Sequence, residues 1–168
     1  DCVFMLCGRR CELYVAALGA LKVGAVVSPL FPAFGPEPIR NRMAQADGKV
    51  LVTTASAYRR KVAPLRAELP ALRHVVLVDD LGAGAVPDTH DWERLLGAVS
   101  DAPALVATSA DDPALLHFTS GTTGTPKGAL HAHGAILTHY ATARLALDLR
   151  PDDVFWCTAD PGWVTGMS

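Results

Sequence analysis

An unbroken membrane-spanning run is missing from this sequence. Its most apolar stretch, residues 13–34, is interrupted by Lys22, Gly24, Ser28, Pro29 and Pro32, whereas a span needs about 20 predominantly apolar residues. No basic segment followed by an apolar one opens the chain, so no secretory signal is read there. Charge of one sign is lacking as well. Fifteen Lys and Arg face 17 Asp and Glu, for a formal net charge of -2, which gives no electrostatic reason to expect nucleic acid or an anionic membrane as partner. Cysteine is scarce. Four residues (Cys2, Cys7, Cys11, Cys157) are too few for a disulfide scaffold, and the first three lack the close paired spacing of a zinc site. They read as small buried thiols in a reducing compartment, with the cytoplasm the expected location. No repeat at solenoid spacing is found.

What is present describes a globular protein of about one domain. Half of the 168 residues are hydrophobic and 19% are charged, enough apolar content for a sizeable core and too much for disorder. Short apolar runs alternate with amphipathic stretches. Residues 3–7 read as a strand, and Leu13, Ala17, Leu18 and Leu21 then recur at helical spacing over residues 12–22. Residues 23–30 read as a buried strand. Pro36 and Pro38 suit the first turn of a second helix whose apolar face is Ile39, Met43 and Ala46. Residues 50–53 and 74–78 are two further strands around a helical stretch over 57–69. The expected fold class is therefore α/β, with parallel sheet layers flanked by helices. Residues 81–112 break the rhythm, with one short helix near residues 92–96 and a subdomain boundary expected near Ala110. Residues 114–118 form another strand, Ile136, Tyr140, Ala143 and Leu147 mark one face of a helix, and residues 154–158 form a last strand.

Between that strand and that helix lies the most informative segment. Residues 119–128 read Thr119, Ser120, Gly121, Thr122, Thr123, Gly124, Thr125, Pro126, Lys127, Gly128. Its glycines let the backbone approach a ligand closely, and successive N–H groups in such a loop form a nest for anions. The hydroxyls add donors and Lys127 adds a cation. A polyphosphate fits this chemistry. A surface turn of small polar residues has the same composition, but a buried strand enters the segment and a helical pattern follows, the place where open α/β sheets keep their ligand crevices. A Walker A loop is excluded: Gly121 and Gly124 are three apart, Pro126 precedes the lysine and Gly128 follows it.

Residues 119–128 resemble the signature phosphate loop of the adenylate-forming superfamily, which comprises acyl-CoA synthetases, luciferases and peptide-synthetase adenylation domains. Residues 156–166, with Asp160, Pro161, Gly162, Trp163, Val164, Thr165 and Gly166, resemble the corresponding segment of AMP-forming acetyl-CoA synthetases. Residues 128–133 and 24–34 also look like that branch, so the resemblance covers most of the chain and is weakest over 81–112. It implies that residues 119–128 hold the β- and γ-phosphates of ATP, with Thr119, Ser120, Gly121, Thr122, Thr123, Gly124, Thr125, Lys127 and Gly128 as the binding set and Lys127 offsetting phosphate charge. It further implies an acyl and CoA pocket in which Trp163 is a wall, Val164 touches the acyl methyl group, Thr165 lies between the acyl and CoA sites, and Gly166 completes the segment. ATP, Mg²⁺, coenzyme A and acetate or another short carboxylic acid are the implied small molecules, with no metal ligand in this chain.

One departure is Met167, where many relatives carry another residue, often histidine. The family's adenine-binding segment, acidic magnesium ligand, ribose-binding aspartate and C-terminal domain with the main catalytic lysine have no counterpart in these 168 residues. The chain accordingly reads as an internal piece of the large N-terminal domain, inactive by itself. The expected function of the parent is an acetate–CoA ligase. The alternatives are another acyl-CoA ligase or adenylation domain, or a non-catalytic polyphosphate-binding remnant. Other polar groups read as structural. His117 is expected to be a hydrogen-bonded core histidine, His131 and His133 mark a loop-to-helix junction, the pairs Asp79/Asp80, Asp111/Asp112 and Asp152/Asp153 suit turns and caps, and Arg59, Arg60 and Lys61 form a solvated helix face.

Overall fold

A computed structural model describes residues 1–79, 86–100, 102, 105–119 and 125–167. Among these residues, seven strands form one sheet: β1 (Cys2–Leu6), β2 (Val26–Pro29), β3 (Val50–Thr53), β4 (His74–Leu77), β5 (His90–Asp91), β6 (Pro113–Thr119) and β7 (Lys127–Ala132). Their spatial order is β5-β4-β3-β1-β2-β6-β7, parallel throughout except for β7, which runs antiparallel to β6. The fold is α/β, as the alternation of apolar runs and amphipathic stretches implies.

The strands alternate their side chains between two cores, as a pleated sheet covered on both faces must. Phe4, Leu6, Leu51, Val75 and Leu77 face one layer, where they meet Ile39 and Met43 of α2 (Pro36–Gln45) together with Tyr58 and Val62. Met5, Val27 and Val52 face the other, against Leu13, Ala17 and Ala20 of α1 (Cys11–Lys22). Those three α1 positions, four and three apart, put one helix face on the sheet. The helix stops in a Schellman turn: the Gly24 amide donates to the Leu21 carbonyl (3.1 Å) and the Ala25 amide to the Ala20 carbonyl (2.9 Å). This places Gly24 at φ +72°. The strand expected from residue 23 therefore begins only at Val26.

The stretch expected as one helix over 57–69 is three short pieces. After α3 (Ala55–Ala57), capped by the Thr54 hydroxyl, come a wide π turn at Tyr58–Val62 and a 3₁₀ segment at Ala63–Glu68. Pro64 is the physical cause, because it has no N–H to donate four residues back and its ring crowds that carbonyl. Beyond β5, whose Asp91 side chain caps the Arg94 amide at 2.8 Å, α4 (Trp92–Ala98) covers the short helix expected there.

Three further expectations are corrected. The segment at residues 119–128 does not lead directly into a helix: it closes a hairpin, with Thr119 opposite Lys127 and Phe118 opposite Gly128, and α5 (Ala135–Leu145) begins only after β7. His131 is consequently a strand residue. Residues 154–158 lie outside the sheet and Val154 is 99% exposed. No neighbouring strand among the described residues offers them the hydrogen bonds a strand requires. Of the four thiols, Cys2 and Cys7 are buried, whereas Cys11 and Cys157 are exposed. Burial pushes Cys2 up to about 11 and Cys7 up to about 12, so both remain thiols. No helix among the described residues is long and apolar enough to cross a membrane.

Candidate functional site

The carboxyl ends of the parallel strands converge on one edge of the sheet, the edge at which open α/β folds bind ligands. The order in which strands are added reverses there, since β2 lies on one side of β1 and β3 on the other, all three parallel. Strand β6, which follows the boundary expected near residue 110, pairs with β2 through Val27 and Leu115. The Ser28 hydroxyl reinforces this join by donating to the Leu116 carbonyl at 2.9 Å. The carboxyl end of β6 thus stands beside that of β2.

From this junction β6 runs up to Thr119 and β7 returns from Lys127. Ser120, Gly121, Thr122, Thr123 and Gly124 lie outside the described residues. Their flanks are described. Thr119, Thr125 and Lys127 are all exposed, so two hydroxyls and an ammonium surround the mouth of the hairpin, and among the described residues no carboxylate pairs with the ammonium. Gly128 sits tightly, since a Cβ there would lie 3.0 Å from Leu116 Cδ1.

Residues 160–167 pack beside the end of β2. Asp160 organises the turn, its Oδ1 accepting the Gly162 amide (2.8 Å) and its carbonyl the Trp163 amide (2.9 Å). Short helix α6 (Val164–Met167) follows. Thr165 is exposed, and its carbonyl accepts the Cys157 thiol at 3.5 Å. The Val164 side chain lies outside the described residues. Gly162 is pressed against β2's continuation so closely that a Cβ would stand 2.3 Å from Phe31 Cα. The Trp163 ring lies 5.3 Å from that of Phe31, centroid to centroid.

Predicted site residues are therefore brought together within two groups, Thr119 with Lys127 and Trp163 with Thr165 and Gly166. Among the described residues no hydrogen bond or ring contact joins the groups directly. The loop after β2 stands between them. Its Phe34 amide donates to the Phe31 carbonyl (3.0 Å), and the two rings meet edge-on at 5.5 Å. The Arg42 guanidinium lies 4.3 Å from the Phe34 centroid and 6.0 Å from that of Phe118, the residue before Thr119. Lys61 donates to the carbonyls of Pro32 and Phe34, so it is a loop anchor and not part of a solvated helix face. Burial, with a smaller contribution from Arg60, lowers its pKa from the ordinary lysine value. Sequence reasoning missed Phe31, Phe34, Arg42 and Lys61. The Phe-x-x-Phe spacing was the available signal, but nothing in it points to the distant Phe118 or Trp163.

Other titratable groups serve the scaffold. Arg10 pairs with Asp79 (2.5 Å), whose other oxygen accepts the Ala55 amide (2.8 Å), while Asp112 and Asp153 accept nearby backbone amides. His117 is buried as expected, but its Nε2 has no hydrogen-bond partner among the described residues. Burial, aided by His131, pushes it down to about 4. A cleft of about 350 Å³ between α1, β7 and α5 is walled by Leu18, Leu21, Val27, Leu115, Ile136 and other residues, and contains none of the predicted site residues. Among the described residues no group of three or more His, Cys, Asp or Glu is placed to hold a metal ion.

Comparison with known proteins gives this architecture its class. The model of the family described as AMP-binding enzyme matches residues 1–168, and the chain belongs to that family. It is 43% identical over 168 residues to the acetyl-coenzyme A synthetase of Bacillus subtilis, covering 99% of this chain and 28% of that protein. It is 39% identical over 173 residues to that of Sodalis glossinidius, covering 94% and 26%. Among solved structures, an acyl-CoA synthetase of Brucella canis superposes with a TM-score of 0.88 at 34% identity, covering 99% of this chain and 30% of that one. The acetoacetyl-CoA synthetase of Streptomyces lividans superposes with a TM-score of 0.88 at 33% identity, covering 99% and 27%. The chain thus spans just over a quarter of the length of the curated relatives it matches.

Proposed function

We propose that this chain is part of the large N-terminal domain of an AMP-forming acid–thiol ligase that activates acetate with ATP and transfers it to coenzyme A. The supporting observation is the placement of the Thr119–Lys127 hairpin mouth at the carboxyl edge of the sheet, one strand away from the turn that carries Trp163. Likeness to acetyl-coenzyme A synthetases along the whole chain adds to it.

In this reading, the amides and hydroxyls of residues 119–125 cradle the β- and γ-phosphates and Lys127 offsets their charge. Trp163, Val164, Thr165 and Gly166 bound the acyl and CoA pocket. The acid's carboxylate attacks the α-phosphorus and pyrophosphate leaves; the CoA thiol then attacks the acyl carbonyl and AMP leaves. A carboxylate is a poor electrophile, and the mixed anhydride supplies the missing leaving group. Such a transfer depends on positioning and on neutralising phosphate charge. The donor set at the hairpin mouth suits polyphosphate oxygens, whereas no carboxylate cluster among the described residues suits Mg²⁺. Magnesium, when bound, would add charge neutralisation at the phosphates. The 168 residues alone are expected to be inactive.

The test is Lys127→Ala in the full-length enzyme. Loss of one charge-stabilising group of this kind lowers kcat by roughly 10²–10³, so acetate-dependent ATP–pyrophosphate exchange should slow by about that factor while KM for acetate changes little. Equal exchange rates in variant and wild type would remove Lys127 from the phosphate site. Likeness to an acetoacetyl-CoA synthetase favours a second reading, a ligase for a somewhat larger acid. For either reading, Val164→Gly should move preference toward longer acids. An unchanged ranking of acetate, propionate, butyrate and acetoacetate would take Val164 out of the pocket.

A further inference from the structure

The loop after β2 carries none of the residues assigned to the phosphate or acyl groups, yet it touches the supports of both. Ring and guanidinium contacts run without a gap from Phe118 to Arg42 (6.0 Å), to Phe34 (4.3 Å), to Phe31 (5.5 Å) and to Trp163 (5.3 Å). Each ring pair falls within the 4.5–7 Å range of favourable aromatic contacts, and each cation–ring distance within about 6 Å. At one end Phe118 leads into Thr119 and the hairpin; at the other Trp163 opens α6.

Two features show that this chain is held and not merely adjacent. Lys61 fixes the loop backbone from beneath through the carbonyls of Pro32 and Phe34. From the other side, the absence of a side chain at Gly162 lets its turn lie directly on Phe31. Arg42 is the telling residue. It is 7% exposed, has no carboxylate within salt-bridge distance among the described residues, and leaves its Nε without a partner. A buried, unpaired charge is costly, and burial accordingly lowers its pKa. A methionine would fill the same space without that cost. What arginine adds is a planar group that lies over Phe34, reaches Phe118, and donates to the Pro38 carbonyl at 2.8 Å.

We propose that Arg42, Phe34 and Phe31 form a positioning bridge that sets Trp163 relative to the stem of the Thr119–Lys127 hairpin, and so sets the separation between the activated acid and the nucleotide phosphates. The proposal rests on the adenylation reading above for its consequence, but not for its existence. None of the three residues needs to touch a substrate. The reacting oxygen and phosphorus must approach to about 3–3.5 Å, and a misplacement of about 1 Å can reduce rate about 10²-fold. Loosening the bridge therefore acts on turnover more than on binding either substrate.

The experiment compares Phe31→Leu, Phe31→Tyr, Arg42→Lys, Arg42→Met and the double variant Phe31→Leu/Arg42→Met in the full-length enzyme, by acid-dependent pyrophosphate exchange and by amide hydrogen exchange without substrates. Expected are a fall in kcat of about 10–100-fold for Phe31→Leu and Arg42→Met, with either KM changed less than about threefold. Phe31→Tyr, which keeps the ring, should retain wild-type turnover. Arg42→Lys, which keeps the charge but loses the plane, should not. The double variant should lose about as much as the worse single one, because both break one linkage. In hydrogen exchange, Arg42→Met should speed exchange in residues 160–167, which it does not contact. Unchanged exchange there, additive losses in the double variant, or full activity in Arg42→Lys would each overturn the bridge. If Phe31→Leu or Arg42→Met does not fold, Phe31→Tyr and Arg42→Lys decide between the same outcomes. Wild-type enzyme that exchanges pyrophosphate with no acid would sink the adenylation reading instead, and the hydrogen-exchange comparison would still decide the bridge.

Discussion

His117 shows how burial alone sets the behaviour of a single residue. Its ring is 1% exposed, stands edge-on to His131 at 5.9 Å, and its Nε2 has no partner among the described residues. Such an imidazole folds neutral, with a pKa of about 4 against 6.5 for the unconstrained group. The unfolded chain therefore binds more protons between these values. Stability is complete above about pH 6.5 and falls as the pH drops toward 4, at up to about 1.4 kcal/mol per pH unit from this residue. Denaturant midpoints of the intact protein measured from pH 7 to pH 4 should show that decline, and His117→Gln should flatten it. An equal slope in the variant would mean that His117 is not the buried neutral group described here. The sequence disclosed the burial, since His117 sits in an apolar run, but not the missing hydrogen bond, which depends on what β7 places opposite. Arg42 was hidden for a similar reason. Its helix position looks like an ordinary cation in a last turn, and only tertiary packing brings Phe34 and Phe118 to it.

At the scale of elements, legibility followed pattern strength. Helix α1 was readable because Leu13, Ala17, Leu18 and Leu21 recur at helical spacing, although the face it buries is Leu13, Ala17 and Ala20 and Leu18 is exposed. The buried strands were readable because each is a short apolar run covered on both faces. The hairpin was not. Strand β7 is exposed over Lys127 to Leu130, so no core-facing alternation marks it as a strand. The helix expected over 57–69 failed at Pro64, a breaker visible in the sequence but outweighed by the helical pattern around it. The end of α1 is a sharper case. Gly24 adopts φ +72° with only ordinary contacts to Val106 and Thr108 around its missing Cβ, so conformation and not space demands glycine there. Gly24→Ala should therefore lower the stability of the intact protein by about 1 kcal/mol, the order of penalty for an L-residue in a left-handed conformation. Urea denaturation would register the loss, and an unchanged midpoint would contradict the Schellman turn.

For the whole molecule, the alternation of strands and helices announced the α/β class, and the chain's order of strands explains where the site belongs. Placing β1 between β2 and β3, then returning to add β6 beside β2, assembles the carboxyl-edge junction from residues about 90 positions apart (Ser28 to Leu116, |i−j| 88). The segment at residues 119–128 stood out by its composition, and residues 156–166 by their resemblance. Their spatial relation was not legible, because neither touches the other and the intervening loop carries no motif of its own. Ile136, Leu137, Tyr140, Phe155 and Trp156 are exposed. An apolar surface of that kind is one a folded protein normally covers, in keeping with a chain that spans 28% of a relative 43% identical to it.

As proposed above, this architecture supplies the phosphate and acyl half-sites of an enzyme that couples a carboxylic acid to AMP. The most direct measurement is exchange of labelled pyrophosphate into ATP by the full-length enzyme with coenzyme A omitted. Exchange should depend on added acetate, saturate with it, and need no thiol. ATP–pyrophosphate exchange that is absent with every short acid tested, or that proceeds equally well without any acid, would contradict it.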